Sequence, residues 1–110
     1  MVNTVLQTKV FREWLDGLTD ETAKGAVTAR INRIESGLLG DFKAVGGKVI
    51  EFRVDVSKGY RFYATRTGKT VILLLNGGHK KGQNADIEAA QAMVEKLAAA
   101  KKEKAKDARK

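Results

Sequence analysis

Two arginines stand inside strand-like runs of this chain: Arg53 in Val49-Ile50-Glu51-Phe52-Arg53 and Arg61 in Gly59-Tyr60-Arg61-Phe62-Tyr63. A third apolar run, Leu73-Leu74-Leu75, leads into Asn76-Gly77-Gly78-His79-Lys80-Lys81, which reads as a glycine turn followed by a basic cluster. A guanidinium cannot be buried without partners, so arginines within strands need a reason. Several convergent cations with no accompanying metal-ligand set suggest a site for phosphate groups. A guanidinium fork bonds two phosphate oxygens at once and keeps its charge.

The composition narrows what such a site could serve. The chain has 110 residues, 43% hydrophobic and 31% charged, which suits one domain with a modest core. No apolar run approaches the roughly 20 residues of a membrane helix. The start, Met1-Val2-Asn3-Thr4, lacks the basic region and apolar stretch of a secretory signal. With no cysteine, disulfides, thiol catalysis and cysteine-based zinc sites are excluded, and a reducing, cytoplasmic setting is expected. One histidine and scattered carboxylates give no metal set, and Gly77-Gly78-His79-Lys80-Lys81 lacks the spacing of a phosphate-binding nucleotide loop, so no cofactor is expected. The net charge of +8 favours a polyanionic partner such as nucleic acid, an acidic protein or an anionic surface. Half of that charge lies in the last ten residues, Lys101 to Lys110, which hold six basic and two acidic side chains. The body before them is moderately basic.

The elements that must carry these residues can be read from periodicity. Val2 to Gln7 is a short strand. Thr8 caps a helix whose apolar positions Phe11, Trp14, Leu15 and Leu18 recur at spacings of three and four. Asp20 caps a second helix, with Ala23, Ala26, Val27, Ile31 and Ile34 inward, Arg30 at the edge of the stripe, and Gly37 in the left-handed position that ends it. The two form a helical hairpin. After the Gly46-Gly47 loop the period becomes two: Ile50, Phe52 and Val54 alternate with Glu51, Arg53 and Asp55, and Tyr60 to Thr65 alternates again. Val71 to Leu75 is apolar on both faces and predicts a central strand. Short turns imply an antiparallel meander. Asn84 is the expected cap of a last helix with Ile87, Ala90, Met93 or Val94, and Leu97 as its stripe. Residues 1–100 read as one α+β domain in the order β-α-α-β-β-β-α. Residues 101–110 read as a basic tail, frayed or disordered, because nothing from Lys101 onward is left to bury.

This order of elements resembles the RelE/ParE superfamily of bacterial toxins from type II toxin–antitoxin operons. So do Trp14-Leu15-x-x-Leu18, Glu51-Phe52-Arg53, Gly59-Tyr60-Arg61-x-Tyr63, and the Leu-Asn-Gly-Gly-His-Lys-Lys segment before Asp86-Ile87-x-x-Ala90. Gly40-Asp41-x-Lys43-x-Val45-Gly46 is similar to the HigB-type branch, the addiction-module killer proteins. The similarity spans roughly Asn3 to Leu97. It implies a microbial RNase-like fold, with two N-terminal helices against a twisted antiparallel sheet and a C-terminal helix. It also implies a growth-inhibiting toxin that enters the ribosomal A site and cuts messenger RNA, and an antitoxin of helix-turn-helix type, through which alone operator DNA would be met. No membrane partner is implied. The ParE branch shares the fold but poisons DNA gyrase, so fold alone does not assign function. A binder of nucleic acid without chemistry is the third reading.

Metal-independent RNA cleavage needs a base for the 2′-hydroxyl, charge stabilisation at the phosphate, and protonation of the leaving 5′-oxygen. By the resemblance, Arg61 matches the strand arginine that contacts the scissile phosphate. Its alternative is a structural ion pair with Glu51 or Asp55. Arg53 shares its face only if the strand register allows. Lys81 lies where the family carries a basic residue acting as acid or clamp, with Lys80 beside it binding phosphate. Either lysine could equally be solvated surface. His79 has the ring chemistry for proton transfer but, alone in a glycine loop, reads as structural or RNA-facing. Glu51 is either a general base or, more simply, a carboxylate held by Arg53 or Arg61. Lys43, Lys48 and Gln83 are candidate RNA-positioning residues, and the helix dipole explains Asp86. The chain departs from RelE enzymes at Val49 and Glu51, where those carry two lysines, and near Ile87, where they carry a tyrosine.

Overall fold

Thr8 and Asp20 start the two N-terminal helices as expected. In the computed structural model, which describes residues 2–108 and the side chains of residues 2–100, Thr8 Oγ1 accepts from the Phe11 N–H at 3.0 Å and donates to the Leu75 carbonyl at 2.7 Å. It caps helix α1 (Lys9–Asp16) and ties that helix to the sheet. Asp20 Oδ1 accepts from the Ala23 N–H at 3.0 Å and caps α2 (Glu21–Glu35). Gly37, at φ 93°, ends α2. The Leu38 N–H donates to the Arg33 carbonyl at 2.8 Å and the Gly37 N–H to the Ile34 carbonyl at 3.0 Å, the paired bonds of a Schellman ending.

Five strands follow the order β1-β5-β4-β3-β2 across one sheet: β1 (Thr4–Gln7), β2 (Phe42–Ala44), β3 (Ile50–Val54), β4 (Tyr60–Arg66) and β5 (Val71–His79). β2 to β5 form the expected antiparallel meander. Two features differ from the sequence reading. The sheet is mixed, because β1 lies parallel to β5 at the opposite edge from β2. There is also a strand more, β2, whose three residues are all exposed and leave no alternation to read.

The sheet has a core on each face. The helical hairpin covers one, where Phe11, Val27, Ile34, Phe52, Phe62 and Leu74 are buried together. Helix α3 (Gln83–Ala108) covers the other, over Val49, Tyr63, Leu75 and Ala90. This makes β5 an interior strand with a core on each side, as its two-sided apolar pattern predicts, although β4 is the middle strand of the five. A bulge sits opposite the Tyr63–Ala64 step of β4: Tyr63 pairs with Asn76 and Ala64 with Leu74, which leaves Leu75 as the extra residue on β5.

β5 also runs on through the glycines read as a turn, as far as His79. Gly77 is strand because the Trp14 ring packs where a side chain would be, 2.5 Å from the position of an added Cβ. A 3-10 turn (Lys80–Gly82) then feeds directly into α3. Asn84 therefore lies inside the first turn of α3 instead of capping it. The apolar stripe of α3 stops at Val94, since Leu97 is 45% exposed. The helical backbone continues to Ala108, past the Lys101 at which the sequence predicts fraying. Arg109 and Lys110 of that tail lie outside the described residues. Among those residues no helix is long and apolar enough to cross a membrane.

Candidate functional site

The register of β3 on β4 answers what the sequence left open: Arg53 lies directly opposite Arg61, so both side chains leave the same face. Glu51, two residues back on that face, lies opposite Tyr63 and is completely buried. Isolating a carboxylate from water is costly unless every lone pair finds a donor. Here Oε1 accepts from Arg53 Nε at 3.2 Å, and Oε2 accepts from Gln83 Nε2 at 2.7 Å and from the Tyr63 hydroxyl at 3.3 Å. Burial first, and then the Glu51 charge, hold the Tyr63 phenol far above its usual range, so it stays protonated and donates. The simpler of the two accounts of Glu51 is the geometry found. Both of its oxygens are engaged, which leaves it poorly disposed to take a substrate proton. Gln83, a candidate RNA-positioning residue by sequence, pins α3 to this carboxylate.

Arg61 is the unusual member. The residue is 8% exposed, and its Nε lies 3.9 Å from Glu51 Oε2. That is close enough for charge attraction but too long for a hydrogen bond. Its Nε and Nη1 are buried and donate no hydrogen bond to any described residue. Buried donors are nearly always satisfied, so these two call for an acceptor from outside the chain, be it water, an ion or a ligand. Gly59, whose φ of 84° favours glycine, lies against this head group. A Cβ there would lie 4.0 Å from Arg61 Nη1 and 3.7 Å from Lys80 Cβ. Lys80 is drawn in through its own N–H, which donates to the Gly59 carbonyl at 3.3 Å.

More cations gather at this end of the sheet. The Lys58 ammonium lies 6.0 Å from the Tyr60 ring, which His79 meets edge-on at 6.1 Å. Sequence reasoning missed Lys58 because it stands among turn residues. The loop turns through the left-handed Ser57, at φ 52°, and Gly59, which sets Lys58 over the Tyr60 ring. Tyr60 anchors the cluster to the helical hairpin by donating to Asp20 Oδ2 at 3.3 Å. Arg53 and Arg61 leave the face covered by α3, whereas His79, paired in register with Tyr60, leaves the hairpin face at the same end of the sheet, so the structure does not bring His79 to the arginines. Lys80 follows beside Gly59. Lys81 follows in the 3-10 turn, exposed, with no side-chain bond among the described residues. Lys43, exposed on β2, lies opposite Glu51 in register and flanks the arginines. Lys48 is not part of the group. It precedes β3 at the far end, left-handed at φ 63°, beside a cavity of about 360 Å³ lined also by Ile50, Thr65 and Arg66.

Asp86 also departs from expectation. A helix dipole would lower its pKa, yet burial raises it, with His79 partly offsetting the shift. Its carboxylate does not cap the helix. It lies over Gly78, where an added Cβ would collide with Oδ2, and a Cβ on Gly82 would come within 3.3 Å of the same oxygen. Asn76 Nδ2 fixes that turn of α3 by donating to the Asp86 backbone carbonyl at 3.0 Å.

No family model matches the chain. It is similar to a Haemophilus influenzae protein described as an uncharacterized protein, 35% identical over 97 residues that cover 88% of this chain and 98% of that one.

Proposed function

This chain belongs to one family with that Haemophilus influenzae protein, and we propose that it is the toxin of a type II toxin–antitoxin module, a ribosome-dependent mRNA endoribonuclease of RelE/ParE kind. One observation carries the proposal: a buried arginine, Arg61, keeps two donors unbonded beside Arg53 and Lys80. Such a fork suits the oxygens of a phosphodiester as charge builds on them. Arg53 supports it by sharing the Glu51 counter-ion, and Lys80 and Lys43 flank the path of the RNA backbone. The order of elements and the motifs around Arg61 and Gly78 support the family reading.

Arg61→Ala should abolish growth inhibition in cells while circular dichroism shows the fold retained. Loss of one preorganised donor of this kind costs roughly 10²–10³-fold in rate. A variant as toxic as the parent removes Arg61 from the mechanism.

The gyrase-poison reading retains one specific support: Val49 and Glu51 stand where RelE enzymes carry lysines, and Glu51 is fully engaged by its neighbours. Under that reading expression induces the DNA-damage response and transcripts stay whole. Under the nuclease reading, mapped cuts fall within translated codons. The partner in both cases is an antitoxin, and an acidic or helical segment laid over Arg53 and Arg61 would neutralise the site in the cytoplasm.

A further inference from the structure

We propose that the outer edge of β2, together with the cavity beside it, is a docking strip for an extended segment of a partner protein in which apolar and acidic residues alternate. The segment adds a strand to the sheet. The inference stands apart from the nuclease reading.

β2 is the outermost strand on its side of the sheet, with a ladder partner only in β3. The Asp41 carbonyl accepts from the Arg53 N–H at 3.1 Å, and the Val45 N–H donates to the Val49 carbonyl at 3.0 Å. Backbone groups of successive strand residues point to alternate sides. With Asp41, Lys43 and Val45 turned toward β3, the N–H and C=O of Phe42 and Ala44 turn outward. All three residues of β2 are exposed. A row of outward, unpaired backbone groups is the template for strand addition.

The two faces of this edge call for different side chains. Phe42 lies opposite Phe52 and Ala44 opposite Ile50, so both leave the face that the helical hairpin covers. Phe42 is 47% exposed, although its ring meets that of Phe52 at 6.2 Å. Ala44 lines the 360 Å³ cavity with Val49 and Ile50, and the exposed cations Lys48 and Arg66 complete the lining. Arg66 belongs to the same face, two residues after Ala64, the β4 partner of Ile50. An apolar side chain opposite Ala44 on an added strand therefore borders the cavity. Lys43 lies opposite Glu51 and leaves the other face. Strand alternation then sets the pattern of the occupant: apolar side chains beside Phe42 and Ala44, and carboxylates beside Lys43.

Charge also decides against a second copy of this chain. Antiparallel pairing of two such edges through Phe42 and Ala44 would set Lys43 against its own copy, between chains that each carry +8. Like charges directly opposite one another destabilise a sheet.

The test uses the full chain and a synthetic, end-capped peptide in which leucine and valine alternate with glutamate. A peptide of the same composition with its glutamates grouped at one end is the comparison. Binding is measured by calorimetry, and amide exchange by NMR. The alternating peptide should bind more tightly and slow exchange at the Phe42 and Ala44 N–H groups. Ala44→Pro removes an outward N–H that β3 does not use, and proline is tolerated on an edge strand. It should weaken binding about tenfold or more. Circular dichroism checks its fold. Lys43→Glu keeps the edge intact and should reverse the preference, favouring a peptide with lysine in place of glutamate. Absence of binding, equal binding of the grouped peptide, unchanged exchange at Phe42 and Ala44, or an unreversed preference in Lys43→Glu overturns the proposal. Exchange at those two amides that slows in the free chain as its concentration rises gives the edge to a second copy, and overturns it too.

Discussion

Glu51 and Asp86 are both partly or wholly withdrawn from water, and their different fates show how much a side chain's partners matter. Glu51 has donors from three elements and serves as the keystone between β3, β4 and α3. Asp86 has none among the described residues, and its ionised form is disfavoured in the fold. Asp20 shows the reverse, its pKa lowered first by the Ala23 N–H and then by Ser57. The consequences for stability have opposite signs. The contribution of Asp20 is complete above its unfolded value of 3.8 and is lost as pH falls through the lower folded value. The Asp86 penalty is absent in acid, and grows as pH rises from 3.8 through its raised folded value. Asp86→Asn should therefore melt at or above the parent temperature at about pH 7, with the difference vanishing near pH 3. Asp20→Ala should melt lower at neutrality, with a deficit that shrinks in acid. Thermal scans across pH check both. An Asp86→Asn variant that melts well below its parent at neutral pH would show a structural carboxylate after all.

At the scale of elements, the parts legible in the sequence were those set by local chemistry. Thr8, Asp20 and Gly37 announce helix ends because capping uses side chains adjacent in sequence. The alternation in β3 and β4 is visible because each has one face against a core. What could not be read depends on contacts distant in sequence. β2 is three exposed residues that pair only because β3 is beside them. The Arg53–Arg61 pairing is a matter of register, which the sequence leaves open. Gly77 and Gly78 look like a turn in isolation, but each admits a group from a helix: Trp14 on one face of β5 and Asp86 on the other. Asp86 was legible only as a dipole partner for the same reason. Gly77→Ala tests this account. Its Cβ would come within 2.5 Å of Trp14 Cε3, so α1 must shift, at a cost of roughly 1–3 kcal/mol measured by urea unfolding. An unchanged midpoint would mean that the indole moves freely.

Taken as a whole, the molecule spreads basic residues over both helices of the hairpin and both ends of the sheet, but half of its net charge lies in residues 101–110. Deleting residues 101–110 removes that half and none of the residues described in either core. If the tail aids association with ribosomal RNA, the truncated chain should bind more weakly at low salt, with a shallower dependence of affinity on salt. Growth inhibition should be weakened but still present. Identical toxicity and salt slope would make the tail dispensable. The first strand made, β1, can be paired only by β5, with Thr4 to Gln7 waiting for Val71 to Leu74. The last strand made thus completes the sheet and carries Gly78, against which Asp86 settles. Such long-range closure is slow and comes late in folding. The sheet, and with it the shelf on which the Arg61 side chain lies, therefore stays open until His79 has been made.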